Sequence, residues 1–226
     1  MKYENVCEAR FISRPNRFIS RVMLNGEELT VHVKNTGRCR ELLTENARVI
    51  LEKSSNPNRK TQYDLIAVYK GDTLVNMDSQ SPNGAVGEWL RAGGFLENPT
   101  LVKPESTFGK SRLDFYLETE NEKAYIEVKG VTLEENGVAR FPDAPTERGK
   151  KHLSELINAK SQGYRAAVVF VIQMKGCHLF EPNYVTDKPF AEELKRAYEN
   201  GVEIIAVDCR VQPDGMTIDK KIEVRL

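Results

Sequence analysis

The sequence predicts two domains, a small β-barrel followed by an α/β domain. Residues 1–78 hold six short strand-like runs separated by turn-forming residues, a pattern typical of a small closed or partly open barrel. The later runs follow the order strand, strand, helix, strand, helix, strand, which favours an α/β fold around a mixed sheet. We therefore place the domains at 1–80 and 81–226, with the boundary between residues 78 and 84.

Length and composition indicate an ordinary folded protein. The chain has 226 residues, 40% hydrophobic and 29% charged. No apolar run approaches the roughly 20 residues of a membrane helix, and the N-terminus lacks the apolar core of a secretory signal. The four cysteines form no CxxC pair, which speaks against a zinc site. We expect a cytoplasmic protein with no membrane partner.

The barrel strands are runs rich in β-branched and aromatic residues, each bounded by Gly, Pro, Asn or Asp. The runs are EARFIS, RFISRVML, LTVHVK, ARVILEKS, QYDLIAVY and TLVNM. The same region carries 13 Lys and Arg against 10 Asp and Glu, although the formal net charge of the chain is zero. A neutral total can therefore conceal a basic face on the barrel.

The second domain begins with the stretch SQSPNGAVGEWLRAGGF, which indicates a loop and then a helix that stops at Gly93 and Gly94. A hairpin over residues 111–130 follows, and then a helix with Thr146 as its N-cap and Gly163 as its stop. The apolar runs YRAAVVFVIQ and VEIIAVDCRV are typical of strands buried on both faces. A helix over PFAEELKRAYENG separates these two strands.

The hairpin carries charged side chains among apolar ones. Alternation places Leu113, Phe115 and Leu117 on one face of the first strand, and Arg112, Asp114 and Tyr116 on the other. On the second strand Glu127 and Lys129 share a face. A turn centred between residues 120 and 121 pairs Asp114 directly with Glu127, which puts their Cβ atoms about 4.5–5.5 Å apart.

Two carboxylates in direct opposition repel each other, and partial burial strengthens the repulsion. A divalent cation between them would turn that cost into a binding site, since one or two carboxylates plus waters and phosphates suffice for Mg²⁺. Lys129 could orient an attacking water or neutralise charge on a phosphate. The pattern favours metal-assisted phosphodiester hydrolysis. The alternative is an exposed hairpin whose polar face is merely solvated.

These residues resemble a known signature. The stretch RLDF…YIEVKG resembles the D…(D/E)xK motif of the PD-(D/E)xK nuclease-like fold, and the whole chain is similar to the sugar fermentation stimulation protein A family. The stretches that carry the family resemblance are RFISRV, HVKNTGRCRELL, SSNPNRKTQYDL, SRLDFYL, IEVKGVTL and GVARFPDAPTERGKKHLSEL. The resemblance implies an N-terminal OB-like β-barrel and a PD-(D/E)xK nuclease-like α/β domain with a mixed sheet flanked by helices. It also implies DNA binding with little sequence specificity.

The resemblance also implies roles for individual residues. Asp114 and Glu127 would be metal ligands for Mg²⁺ or Mn²⁺, and Lys129 would be the catalytic lysine. Nucleases of this fold often add an acid from the preceding helix, for which Glu88 is the candidate. Leu113 stands where the motif's name has proline, a difference that the fold tolerates. Nucleases of this fold often act as pairs, so a homodimer is one assembly that the resemblance allows.

Basic residues near turns and at a helix start are candidate phosphate contacts, because Lys and Arg side chains and helix N-termini bind phosphate. The candidates are Lys34, Arg38, Arg40, Arg59, Lys60, Arg140, Arg148 and Lys150. His152 could assist the site, although a lone histidine is more often a polar surface residue.

Three functional hypotheses remain open from the sequence. The first is a metal-dependent nuclease that grips DNA with its barrel. The second is a non-enzymatic DNA-binding regulator of sugar or maltose metabolism, built on a nuclease scaffold. The third is a protein that binds a phosphorylated ligand through a metal. Salt-dependent DNA binding separates the first two from the third.

Overall fold

The computed structural model describes residues 1–35 and 37–226. Its N-terminal part is a six-stranded sheet in which five strands close into a barrel. The strands are β1 (Val6–Asn16), β2 (Ile19–Leu24), β3 (Glu27–Val33), β4 (Arg48–Lys53), β5 (Tyr63–Lys70) and β6 (Thr73–Asn76). A parallel contact between β3 and β5 closes the ring β1-β2-β3-β5-β4, and β6 extends the edge of β5. The predicted OB-like barrel is confirmed.

Period-two patterning and one turn explain the start of the barrel. In β2 the side chains of Ser20, Val22 and Leu24 are buried while those between them are exposed or half-buried. The next strand follows directly through Asn25 and Gly26, which have φ angles of 52° and 86°. Asn-Gly with two positive φ angles is the favoured two-residue hairpin turn, because its twist matches that of the strands.

The C-terminal part is a nine-stranded mixed sheet with three helices. Its elements are α1 (Ser81–Arg91), β7 (Leu101–Phe108), β8 (Ser111–Glu118), β9 (Lys123–Val131), β10 (Glu134–Glu135), β11 (Val138–Phe141), α2 (Glu147–Ser161), β12 (Arg165–Ile172), β13 (Leu179–Pro182), α3 (Lys188–Glu199), β14 (Glu203–Gln212) and β15 (Gly215–Val224). The order across the sheet is β10-β11-β13-β15-β14-β12-β9-β8-β7. The predicted α/β domain with a mixed sheet is confirmed.

Helices cover both faces of this sheet. On one face Val86 and Leu90 of α1 pack in a cluster with Phe115, Ile126 and other side chains of the central strands. On the other face α2 and α3 pack in a second cluster that includes Phe170. Strand β12, in the middle, is buried along almost its whole length, as expected for a strand covered on both sides.

A buried polar network joins the barrel to the sheet. The side-chain amide of Gln173 donates to Asn76 O, Asn76 Oδ1 and Asp78 O, each at 3.1 Å. The backbone N–H of Gln173 donates to Val131 O at 2.9 Å, and its carbonyl accepts from Asn76 N at 2.9 Å. Buried polar groups need such partners, so the network holds β6 against the carboxyl end of β9.

The structure adds strands that the sequence pattern did not predict, namely β7, β10, β11, β13 and β15. Among them β7 and β15 have many exposed positions, and β10 and β13 have two and four residues. Their pattern is therefore too weak or too short to indicate a strand. Within the part of the chain that the structure describes, no helix is long and apolar enough to cross a membrane.

Candidate functional site

The hairpin of β8 and β9 has the predicted register. Phe115 pairs with Ile126, and one step further along the same register sets Asp114 opposite Glu127. The regular pairing stops before Asp114, whose Oδ2 accepts a hydrogen bond from Val128 N at 2.7 Å. Here a side chain therefore takes the place of a regular backbone contact between the strands.

This interruption corrects the predicted alternation of the first strand. Phe115 and Leu117 pack in the cluster on the α1 face, but Leu113 belongs to the cluster on the α2 face. Pairing of β8 with both of its neighbours skips Asp114, and Glu105 near it on β7 has a positive φ of 52°. The strand turns over at Asp114, which sequence periodicity alone does not indicate.

Asp114 is held by two donors. Besides Val128 N, the Asn83 amide of α1 donates to its Oδ1 at 2.9 Å. Burial, and then the negative charge of Glu127, raise the pKa of Asp114 above its ordinary value, and the two hydrogen bonds and Lys129 offset part of this. The charged form of Asp114 is therefore disfavoured by its burial and by its proximity to Glu127.

Glu127 is 2% exposed, and its two oxygens have different surroundings. Oε1 accepts from Lys129 Nζ at 2.6 Å and contacts His152 Nδ1. Oε2 is buried with no hydrogen-bond partner among residues 1–35 and 37–226. Burial alone would raise the pKa of Glu127, but His152 and Lys129 outweigh it and hold that pKa below its ordinary value. Glu127 is therefore a charged carboxylate with one oxygen unused by the protein.

The donor set is compatible with a hard divalent cation. Mg²⁺ and Mn²⁺ prefer oxygen ligands, and Mg²⁺ keeps several waters while one or two carboxylates bind it. Asp114 and Glu127 supply two carboxylates, and the orphaned Oε2 of Glu127 is an unused acceptor. In the part of the chain that the structure describes, no group of three or more His, Cys, Asp and Glu side chains is arranged to hold a metal ion.

The predicted third acid, Glu88, lies elsewhere. Its carboxylate pairs with the N-terminal ammonium of Met1 at 2.6 Å. The α1 side chain that contacts Asp114 is Asn83, five residues earlier and on a different face of the helix. This corrects the expectation that α1 contributes a carboxylate to the pair, since the contact comes from an amide.

Four arginines line one cleft between the barrel and the second domain. This arginine cleft, of about 430 Å³, is lined by Arg14, Asn16, Arg17, Gly37, Arg38, Arg40, Leu43 and Ala144. Arg17, Arg38 and Arg40 are exposed and form no ion pair within residues 1–35 and 37–226. Their uncompensated charges make the cleft a strongly basic surface.

Arg14 fixes the backbone of the arginine cleft. Its guanidinium donates to the carbonyls of Arg17, Asn35, Gly37 and Arg38 at 2.5–2.9 Å. These four bonds tie the β1–β2 turn to the segment around Gly37. Arg14 therefore acts as a scaffold on which the exposed arginines are arranged.

A second, smaller pocket lies beside the arginine cleft, at the end of β9. This junction pocket, of about 190 Å³, is lined by Asn35, Gly37, Ser79, Gly130–Leu133, Arg140, Phe141, Asp143 and Gln173. Gly37 lines both cavities, and Gly130 directly follows Lys129. The two cavities therefore meet at Gly37, and the junction pocket reaches the end of β9.

The other predicted basic residues differ in how far their charge is already paired. Lys34 contacts Glu52, Asp64 and Asp78 at 3.3–3.6 Å, and Arg59 binds Asp64 through both Nη atoms at 2.7 and 2.8 Å. This corrects the view of Lys34 and Arg59 as available phosphate contacts, because buried carboxylates already bind them. Among the other predicted phosphate contacts, Arg140 pairs with Glu135 and Glu181, and Lys150 pairs with Glu147. Arg148 contacts His152, and Lys60 is exposed.

The sequence pattern did not indicate the contact of Asn83 with Asp114 or the burial of His152, although it suggested His152 as a residue that could assist the site. His152 is 5% exposed rather than a surface residue, because it lies on the buried stripe of α2 with Gly149, Leu153 and Leu156. Helical spacing from Leu153 and Leu156 could have placed it on that face. Nothing in the local pattern indicates that Asn83 meets Asp114, which lies 31 residues away in the chain.

Comparison with known proteins gives concordant results. The family model "Sugar fermentation stimulation protein RE domain" matches residues 80–215, and "SfsA N-terminal OB domain" matches residues 12–77. A sugar fermentation stimulation protein homolog of Clostridium beijerinckii is 55% identical over the full length of both chains. A homolog of Desulfitobacterium hafniense strain DCB-2 is 54% identical over all of this chain and 99% of its own.

A solved structure also matches. "The structure of Pyrococcus Furiosus SfsA in complex with Ca2+" superposes with a TM-score of 0.91 at 27% identity, covering all of this chain and 98% of that one. The barrel, the mixed sheet and the order of their elements are thus common to both proteins. The chain belongs to the sugar fermentation stimulation protein family.

Proposed function

We propose that this protein binds DNA with little sequence preference and hydrolyses its phosphodiester bonds with Mg²⁺ or Mn²⁺. Asp114 and Glu127 would hold the cation, and Lys129 would be the catalytic lysine. The observation that carries the proposal is the unpartnered Oε2 of Glu127, buried beside a second carboxylate whose pKa is raised. An unsatisfied buried acceptor is costly unless a ligand completes it.

The relative of known structure supports the choice of cofactor. The protein from Pyrococcus furiosus was solved in complex with Ca²⁺, which like Mg²⁺ is a hard cation that prefers oxygen ligands. A bound divalent cation supplies electrostatic stabilisation of the charge that develops on the phosphate.

The chain's own residues supply the other requirements. The Lys129 ammonium is 15% exposed and lies next to both carboxylates, where it can neutralise a phosphate oxygen or orient an attacking water. The exposed arginines of the arginine cleft provide phosphate contacts. Phosphate contacts carry no base information, which agrees with binding that depends little on sequence.

A second candidate function is DNA binding without cleavage, on the same scaffold. It is favoured by the ion pair of Glu127 with Lys129, which offsets the charge of this carboxylate without a metal, and by the contact of the same oxygen with His152. The lack of a three-ligand metal cluster within the described residues points the same way. In that case the arginine cleft alone would carry the function.

Cleavage of labelled single- and double-stranded DNA with Mg²⁺ or Mn²⁺ tests the proposal. We compare the wild type with Asp114→Ala and Lys129→Ala, and use Glu120→Gln in the exposed hairpin loop as the control. Cutting by the wild type and the control, lost in both site variants, supports the nuclease. Tight, salt-sensitive binding with no cutting under any condition supports the second candidate instead.

A further inference from the structure

His152 connects the surface of α2 to the carboxylate of Glu127. Its Nδ1 contacts Glu127 Oε1, and its Nε2 lies 3.4 Å from Nε of Arg148, one helical turn earlier. The ring is 5% exposed, whereas Arg148 is exposed to solvent. Three side chains therefore form a chain of contacts that runs from the solvent to the proposed metal site.

The chemistry of arginine fixes the direction of these hydrogen bonds. A guanidinium is only a donor, so His152 Nε2 accepts from Arg148. The proton of the neutral imidazole is then on Nδ1, which donates to Glu127 Oε1. Lys129 donates to the same oxygen from another side at 2.6 Å. Both donors act on Oε1, and Oε2 receives neither of them.

We propose that His152 is a positioning residue, which together with Lys129 anchors Glu127 through Oε1 and so keeps Oε2 directed to a divalent cation, while Arg148 fixes the imidazole. The inference rests on the proposed function, because it assigns a role in that site. Without the imidazole, the Glu127 side chain could rotate about its terminal bond and turn both oxygens toward Lys129. Partners that orient a ligating side chain typically change metal affinity about 10–100-fold when they are removed.

A purely structural role for His152 is the alternative. A buried His–Glu pair also stabilises the packing of α2 on β9, so its loss would lower the unfolding temperature whether or not a metal binds. The two roles differ in the property that they change. A positioning residue changes the affinity of the folded protein for the metal, whereas a structural residue changes only the stability.

The test is isothermal titration of Mn²⁺ into the full chain, with thermal unfolding measured on the same samples. The variants are His152→Ala, His152→Asn, Arg148→Ala and Glu127→Gln, and His178→Ala is the control because His178 is an exposed histidine far from this pair in sequence. We expect Mn²⁺ affinity to fall at least about ten-fold in His152→Ala. His152→Asn, whose amide can donate in place of Nδ1, should recover most of the affinity, and Arg148→Ala should lose less than His152→Ala.

The outcomes separate this inference from the proposed function. If the wild type and His152→Ala bind Mn²⁺ equally while Glu127→Gln does not, the inference is overturned and the metal site stands. If the wild type binds no Mn²⁺, both are overturned. If His152→Ala does not fold, Arg148→Ala decides the question, since this exposed side chain can be removed without opening the core. Unchanged Mn²⁺ affinity in Arg148→Ala would then overturn the inference.

Discussion

At the scale of single residues, the structure keeps the two predicted carboxylates but changes which side chains contact them. The hairpin has the predicted register as far as Phe115 and Ile126, and the charge of Glu127 acts on Asp114 just beyond that pair. The partners of the two carboxylates are an amide and an imidazole rather than a third acid. Asn83 is the residue of α1 that reaches Asp114, and Glu88 pairs with the chain's own N-terminus.

The contrast between Asn83 and Glu88 leads to the first prediction. Asn83→Ala removes a donor to Asp114 Oδ1, so cleavage rates should fall about 10–100-fold, the usual effect of losing a partner that orients a ligand. Glu88→Gln, on the same helix, should leave the rate unchanged because its carboxylate is engaged with Met1. Steady-state cleavage of labelled DNA measures both. A loss in Glu88→Gln with normal Asn83→Ala would restore Glu88 to the site.

Asp64 in the barrel gives a pH-dependent prediction. Burial by itself would raise its pKa, but Arg59, His32 and Lys34 outweigh burial and lower the pKa from its ordinary 3.8. As the pH falls, the unfolded chain binds the proton first, so the stability that this carboxylate contributes is present above 3.8 and is lost as the pH falls through and below that value.

Asp64→Asn should therefore cost about 3 kcal/mol at pH 7, since it removes the charge of a buried carboxylate that pairs with the half-buried Arg59 and Lys34. The difference in free energy of unfolding between Asp64→Asn and the wild type should narrow as the pH approaches 3. Urea unfolding between pH 7 and pH 3 measures how the stability of each protein depends on pH. A constant gap across the whole range would show that the ion pairs of Asp64 are not the source of the difference.

At the scale of elements, two capping residues set the position of α2. Thr146 Oγ1 accepts from Gly149 N at 3.0 Å and caps this helix. Asp187 caps α3 by accepting from Phe190 N at 3.0 Å, and its other oxygen accepts from Thr146 N at 2.8 Å. The start of α2, which carries Arg148, is thus attached to the start of α3.

Asp187 should consequently matter more for stability than Thr146. Thr146→Ala loses one cap and should cost about 1 kcal/mol, whereas Asp187→Ala loses a cap and a link between helices and should cost about 2 kcal/mol. Asp187→Asn keeps one acceptor and should lie between the wild type and Asp187→Ala. Chemical denaturation gives the three free energies of unfolding. An effect of Asp187→Ala no larger than that of Thr146→Ala would argue against the link.

The sequence predicted those elements that are determined by neighbouring residues in the chain. Turn residues and alternation predicted the barrel strands, and hairpin symmetry predicted the register of β8 and β9 as far as Phe115 and Ile126. The side chain of Asp114 replaces a regular backbone contact, so alternation failed at Leu113. The ion pairs of Lys34 and Arg59 join residues from different strands or loops, and a sequence pattern does not contain that information.

At the scale of the whole molecule, the two domains meet along the surface that we propose for DNA. The network around Gln173 fixes the barrel against the end of β9. The arginine cleft and the junction pocket lie along this boundary and share Gly37. The barrel would therefore present the DNA backbone to the hairpin in a fixed orientation.

Salt dependence of DNA binding tests this arrangement. Arg38→Ala and Arg40→Ala should each weaken binding and reduce the slope of log affinity against log salt by about 1, because each removes one phosphate contact. Lys195→Ala, an exposed site on α3 that changes the net charge equally, should leave the slope unaltered. Equal changes in all three variants would indicate a general charge effect instead of a cleft that binds phosphates.

We propose that Asp114 and Glu127 together hold a divalent cation in the β8–β9 hairpin. Anomalous diffraction from crystals of the wild type soaked in Mn²⁺ tests it most directly. The account predicts one strong peak coordinated by both carboxylates, with Oε2 of Glu127 as a ligand, and no such peak in Glu127→Gln. Mn²⁺ bound only elsewhere, with Lys129 and His152 still paired to an otherwise unliganded Glu127, would contradict it.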